Sequence, residues 1–144
     1  MTTTAAELLE VVWGRASTAP TSASQLRVLH ILEHHDGINL RTLAEHLAST
    51  PPSTSRLCDR LVAAGFVERV TSPEQRREVR LHLSGRGRAF LADLRVRREK
   101  ELRKVLADMP AAKRVALLEG LEAFCATAAT QIHDDAPGVG SRTA

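Results

Sequence analysis

The chain has 144 residues, enough for one domain with a modest core, and its aromatic side chains are only Trp13, Phe66, Phe90 and Phe124. No apolar run approaches the roughly 18 residues that span a bilayer, and the N-terminus has no basic stretch followed by an apolar one, so no membrane partner and a cytoplasmic location are expected. Net charge is +3, but the window from Thr50 to Arg88 carries eight arginines against four carboxylates, so a basic region sits on a nearly neutral remainder. Localised basicity of this kind suits a polyanion.

A core of Leu, Val and Ala favours closely packed helices. Residues 1–4 have nothing to bury and are expected to fray. From Ala5, the positions Leu8, Leu9, Val12, Trp13 and Ala16 fall on one helical face. Ser17 to Pro20 breaks that helix. Ser22 and Gln25 have the spacing of a capping box, opening a second helix to about His35 with Leu26, Val28, Leu29 and Leu32 inward. Asp36-Gly37 is a turn, Ile38 a short strand contact, and Asn39 the cap of a third helix lined by Leu40, Leu43, Ala44 and Leu47.

After a turn at Ala48-Ser49, Thr50 caps a fourth helix, with Pro51 in the first helical position and Gly65 as its left-handed stop. Thr54, Leu57, Cys58 and Leu61 recur at helical spacing and face inward, whereas Pro52, Ser53, Ser55, Arg56 and Arg60 stay outside. Two short helices joined by a tight turn make a helix-turn-helix, and a short helix with small polar groups first and arginines further on fits a DNA major groove.

Past Gly65 the period changes to two. Val67 to Thr71 and Glu78 to Leu83 read as strands joined by Ser72 to Arg77, a hairpin loop tipped with Arg76 and Arg77. A hairpin directly after a helix-turn-helix is a wing, and arginine at its tip suits a narrow, negative minor groove. Ser84 caps a long helix through Ala107, with Phe90, Leu91, Leu94, Leu102, Val105, Leu106 and Met109 near one stripe and a charged middle. Pro110 opens a last helix with a wide apolar face through Val115, Leu118, Leu121, Phe124, Cys125, Ala128 and Ile132. The tail, residues 135–144, is small and rich in Pro and Gly.

The expected fold is therefore mainly α with a small β-hairpin wing: a winged helix-turn-helix over 22–87, with a dimerisation region built from 1–21 and 88–134. The outer helices carry more apolar surface than a winged domain of about 60 residues can cover, and a second copy is the simplest partner, an intramolecular helical cap being the alternative. A two-fold dimer would present two recognition helices to near-palindromic DNA. Cys58 and Cys125 are too few for a disulfide framework; each lies on an apolar stripe and is expected to be buried and inert. No glycine-rich phosphate loop or nucleophile elbow is present, so the chain is not expected to be an enzyme or to need a cofactor. A winged-helix module that binds protein and not DNA is the competing reading.

Together these residues resemble the MarR family of bacterial transcription regulators. SASQLRVL is similar to the family's opening of the second helix, LRTLAEHL to its third, SRLCDRLVAAGFVERV to its recognition helix and first wing strand, and LSGRG to its usual Leu-Thr-x-x-Gly. The resemblance implies a homodimer that binds double-stranded DNA, usually represses nearby genes, and often releases DNA when a small anionic or aromatic ligand binds. By position it implies Pro52, Ser53, Ser55 and Arg56 in the major groove, Arg60 on phosphate, and Arg76 with Arg77 at the wing tip. Trp13, His30, His34 and Arg41 are the candidates for effector contact. Gln75 stands where the family commonly has Asp, leaving Glu74 or Glu78 as substitutes, and Ser84 replaces the usual Thr. His30 and His34 have metal-ligand spacing but no identified third ligand, so no metal is expected.

Overall fold

The computed structural model describes residues 1–16, 21–71 and 78–134, with side chains described to residue 130. The wing tip, with Glu74, Gln75, Arg76 and Arg77, the break at 17–20 and the tail at 135–144 lie outside the described residues. The elements run α1 (Thr2–Ala16), α2 (Ala23–His34), β1 (Ile38–Asn39), α3 (Leu40–His46), α4 (Pro51–Ala63), β2 (Val67–Thr71), β3 (Val79–Leu83), α5 (Gly85–Ala107) and α6 (Ala111–Asp134). The chain divides into two compact units, Met1–Leu102 and Arg103–Ala144.

Local chemistry sets most of these boundaries. At α2, the Ser22 hydroxyl accepts from the Gln25 amide while the Gln25 side chain accepts from the Ser22 amide at 2.8 Å, closing the reciprocal capping box. Asn39 caps α3 through its side-chain oxygen, which accepts from the Thr42 amide at 2.8 Å. The turn between α3 and α4 is tight enough to hold Ala48 at a φ of 48°. Gly65 stops α4 at a φ of 77°, a conformation that costs glycine little. Residues 1–4 do not fray as the sequence suggested. The Ala5 amide reaches the Met1 carbonyl at 3.1 Å, so the helix starts at Thr2.

In the first unit, the second strand of the wing lies between its neighbours in an antiparallel sheet of order β1-β3-β2. Ile38 opposes Leu81 and Asn39 opposes Arg80 on one side, and Val67 opposes Leu83 on the other. Thus the short Ile38 contact becomes a third strand that ties the wing to the helix-turn-helix. Beneath the sheet, Val28, Leu29 and Leu32 of α2 pack with Leu43 of α3 and with Cys58 and Leu61 of α4. Val67, Leu81, Leu83 and Leu91 complete that core. Each fully buried leucine contributes about 1.5–3 kcal/mol over exposure. Val79, expected inward by alternation, remains 39% exposed at the start of β3.

Ser84 joins the layers, its hydroxyl donating to the Gly65 carbonyl at 2.6 Å and accepting from the Gly87 amide at 2.9 Å. It therefore caps α5 while holding the end of α4. At the other end of the unit, the Arg97 guanidinium donates to the Ala16 carbonyl at 3.2 Å and satisfies the last turn of α1. Along the rest of the α1 stripe Leu9, Val12 and Trp13 are half-buried, and Leu8 is 61% exposed.

The second unit is organised around α6. The Arg114 guanidinium donates to the Leu106 carbonyl at 3.2 Å across the turn that begins at Pro110. On the apolar face of α6, Val115, Leu118, Leu121 and Phe124 are all exposed. Cys125 is exposed with them, contrary to the burial expected from its place on the stripe. Among the described residues, no helix is long and apolar enough to cross a membrane.

Candidate nucleic-acid interface

Helix α4 is held from its inner face. Thr54 is fully buried, and its hydroxyl donates to the Thr50 carbonyl at 3.0 Å, so the one polar group on that face is satisfied. Cys58 and Leu61 follow one and two turns later, both buried. At the N-terminus, the Thr50 hydroxyl accepts from the Ser53 amide at 3.4 Å and donates to the Ser53 hydroxyl at 3.1 Å. Pro52, Ser53, Arg56 and Arg60 are exposed, and Ser55, expected outside with them, is half-buried.

The arginines of the basic window divide by partner. Arg69 on β2 meets Asp59 of α4 at 2.7 Å, and Arg80 on β3 meets Glu78 at 3.5 Å while donating to the Gly37 carbonyl at 3.2 Å. The Arg86 guanidinium lies 5.3 Å from the centroid of the Phe66 ring. Among the described residues, no carboxylate pairs with Arg56 or Arg60. The outer face of α4 therefore presents uncompensated positive charge next to small hydroxyls and to the amides of a helix N-terminus, a combination that favours anions. The internal pairs of Arg69 and Arg80 escaped the sequence reading, because nothing in the spacing says which strand residues will face α4 or β1.

Of the residues considered for effector contact, Trp13 lines a cavity of about 370 Å³ between α1, α2 and α5, with Gly14, Leu26, Phe90, Leu94 and Arg98. The Arg98 guanidinium lies 4.7 Å from the centroid of the Trp13 ring. Its Nε is buried without a hydrogen-bond partner among the described residues, and burial lowers its pKa from the ordinary arginine value. Arg98 was passed over in the sequence as part of the charged middle of α5, although it lies one turn beyond Leu94, on the face that Leu91 begins.

The other three candidates do not join Trp13. His30 is half-buried, with Nδ1 4.0 Å from Glu33; burial, then Arg95, lowers its pKa. Glu33 is gripped by both terminal nitrogens of Arg95, and that hydrogen bonding holds its carboxyl below the usual range. His34 is exposed, and Arg41 is exposed and paired with Glu45 at 3.3 Å. His30, His34 and Arg41 line neither this cavity nor a smaller one, of about 200 Å³, beside Glu33, Arg88 and Arg95. Among the described residues, no three His, Cys, Asp or Glu side chains are placed to hold a metal ion.

Residues 21–79 match the model of the MarR family. A curated relative, an uncharacterised HTH-type transcriptional regulator YfiV of Bacillus subtilis (strain 168), is 30% identical over 100 residues; the match covers 69% of this chain and 62% of the relative, less than two thirds of its length. The crystal structure of RV1404 from Mycobacterium tuberculosis is similar at 33% identity and a TM-score of 0.78, over 88% of both chains. A mutant of S. aureus MepR bound to an oligodeoxyribonucleotide shares the fold at 15% identity and a TM-score of 0.69, covering 87% of this chain and 92% of that one. The family model spans α2 to the start of β3, including the capped helices and the outward arginines of α4, and the match to RV1404 covers 88% of the chain; the chain belongs to the MarR family of winged helix-turn-helix transcriptional regulators.

Proposed function

We propose that this chain acts in the cytoplasm as a homodimeric repressor, binding a near-palindromic operator through α4 and the wing and leaving it when a small ligand binds. The observation that carries this reading is the division of α4. Its inner face is locked by Thr54, Cys58 and Leu61, while Arg56 and Arg60 project outward with no carboxylate partner among the described residues. In this reading Pro52, Ser53, Ser55 and Arg56 meet base edges in the major groove, Arg60 meets phosphate, and Arg76 and Arg77 enter the minor groove. The MepR structure, which has this fold, supports the choice of duplex DNA as the partner.

Dimerisation is supported by the exposed apolar side chains of α6, where Val115, Leu117, Leu118, Leu121 and Phe124 present more large apolar groups than a solvated surface usually tolerates. The cavity beside Trp13 supports effector binding. An apolar wall of Leu26, Phe90 and Leu94, with the Arg98 guanidinium and the Glu10 carboxylate also on the lining, suits a small flat molecule whose polar edge meets the Arg98 Nε–H, which has no partner among the described residues. Trp13 and Arg98 are then its contacts.

The test is binding of the purified protein to the DNA upstream of its own gene, compared with a random duplex over a salt series, with stoichiometry from sedimentation. Preference for the upstream DNA, two chains per site and a steep fall of affinity with salt are the expected results. Failure to bind any duplex at low salt would overturn the proposal in favour of a protein-interaction module.

A further inference from the structure

The cap of α3 has a second engagement that helix capping alone does not require. Asparagine, aspartate and serine cap helices about equally well, because each offers an oxygen to a free amide of the first turn. Asn39 differs from aspartate in also carrying a donor, and from serine in carrying it on a separate atom with longer reach. While its Oδ1 accepts from the Thr42 amide at 2.8 Å, its Nδ2 donates to Glu78 Oε1 at 2.9 Å. The orientation of the amide is fixed by its neighbours, since a backbone N–H can only donate and a carboxylate can only accept. The other oxygen of Glu78 lies 3.5 Å from Arg80 Nη2, and Arg80 Nη1 donates to the Gly37 carbonyl at 3.2 Å.

Glu78 is the residue on which the chain returns from the loop bearing Arg76 and Arg77, immediately before β3. Its carboxylate is thus held by β1 through Asn39 and by β3 through Arg80, at a point where Asn39 and Arg80 are cross-strand neighbours. The Glu78 side chain is only 33% exposed, so water competes with these contacts less than at an open edge. β1 is just two residues long and contributes few ladder hydrogen bonds, so this side-chain link acts beside the Gly37–Leu81 backbone bond, the His82–Asp36 contact and the Leu43–Leu81 core in joining the base of the wing to the first helix of the helix-turn-helix.

We infer that Asn39 is a positioning residue for DNA binding: through Glu78 it fixes the start of β3 relative to α3, and so sets where the wing stands beside α4. This rests on the reading that the wing arginines touch DNA. Asn39 itself contacts no base or phosphate in this role. A donor to Glu78, and not only a cap, is what the position requires.

The experiment measures binding to a random-sequence duplex across a salt series, by fluorescence anisotropy, well below the melting midpoint of each variant. Arg76→Ala is the reference and is expected to lower the salt slope by about one. Asn39→Ser keeps the cap acceptor and the net charge, but its hydroxyl, on a shorter side chain that is engaged by the Thr42 amide, does not reach Glu78; it is expected to weaken binding by about threefold to tenfold and to lower the slope as Arg76→Ala does. Asn39→Asp sets two carboxylates against each other and should bind more weakly still. Combining it with Glu78→Gln restores the hydrogen bond with donor and acceptor exchanged, at unchanged net charge, and should recover most of the loss. Wild-type binding by Asn39→Ser, or a double variant no better than Asn39→Asp, would overturn the positioning role while leaving the wing reading intact. An unchanged slope in Arg76→Ala would bring down the wing reading itself, and this inference with it.

Discussion

Burial pushes the Cys58 thiol up to about 11, with Asp59 adding to the effect and Arg69 pulling against it. At neutral pH the group is a protonated thiol inside the core, neither nucleophile nor metal ligand. Cys58 is therefore expected to resist iodoacetamide at pH 8 in the folded protein and to react once denaturant is added, as read by mass spectrometry; labelling without denaturant would show that α4 opens readily. The two cysteines mark what can be read at this scale. Both lie on apolar stripes in the sequence, and only the fold separates Cys58, closed in by α2, from Cys125, which is exposed on α6. Caps were legible because the groups involved are three residues apart, as Ser22 and Gln25 or Asn39 and Thr42 are. The contacts of Arg98 with Trp13 and of Arg69 with Asp59 were not, because the partners lie on separate elements and meet only through the packing of the whole unit.

Between elements, α5 packs so closely on the turn after α4 that Gly87 has no room for a side chain. A methyl group added at Gly87 would lie 2.3 Å from the Phe66 carbonyl oxygen and 2.8 Å from a Leu83 methyl. Since the first of these is backbone, Gly87→Ala is expected to force α5 outward and cost about 3 kcal/mol, measurable by urea unfolding. A change below the error of that measurement would mean the helix start is loosely held. Farther along, α5 and α2 are clamped by Arg95 on Glu33, and this clamp makes stability depend on pH. The folded pKa of Glu33 lies below its usual 4.5, so its contribution is present above pH 4.5 and is lost as pH falls through the folded value. The pKa of His30 is lowered from 6.5, so acidification below that point favours the unfolded chain, which takes up the proton first. Thermal midpoints should fall in two stages on acidification, the higher absent in His30→Gln and the lower weakened in Glu33→Gln. Unchanged profiles in both variants would locate the acid sensitivity elsewhere. Hydrophobic period and cap residues placed each of these elements, but the Glu33–Arg95 partners are separated by 62 residues and no local pattern announces them.

For the whole molecule, the amino-acid pattern already divides a winged helix-turn-helix from helices with surplus apolar surface, and the structure leaves that surplus uncovered in the single chain. Substituting Leu118 and Phe124 with Glu is expected to convert a dimer to monomers by sedimentation and to weaken operator binding sharply, because two half-sites are then no longer gripped at once. A dimer that survives these changes would move the interface away from α6. The central claim concerns α4, whose exposed arginines are taken to read DNA. Its most direct test is the affinity of Arg56→Ala, relative to the wild type, for an operator selected from random duplexes and for random duplex itself. A loss of about 1–3 kcal/mol on the operator, with a much smaller loss on random DNA, is the predicted result, since a base-edge contact contributes only where its base is present. Equal losses on both would contradict the claim and reduce Arg56 to a phosphate contact.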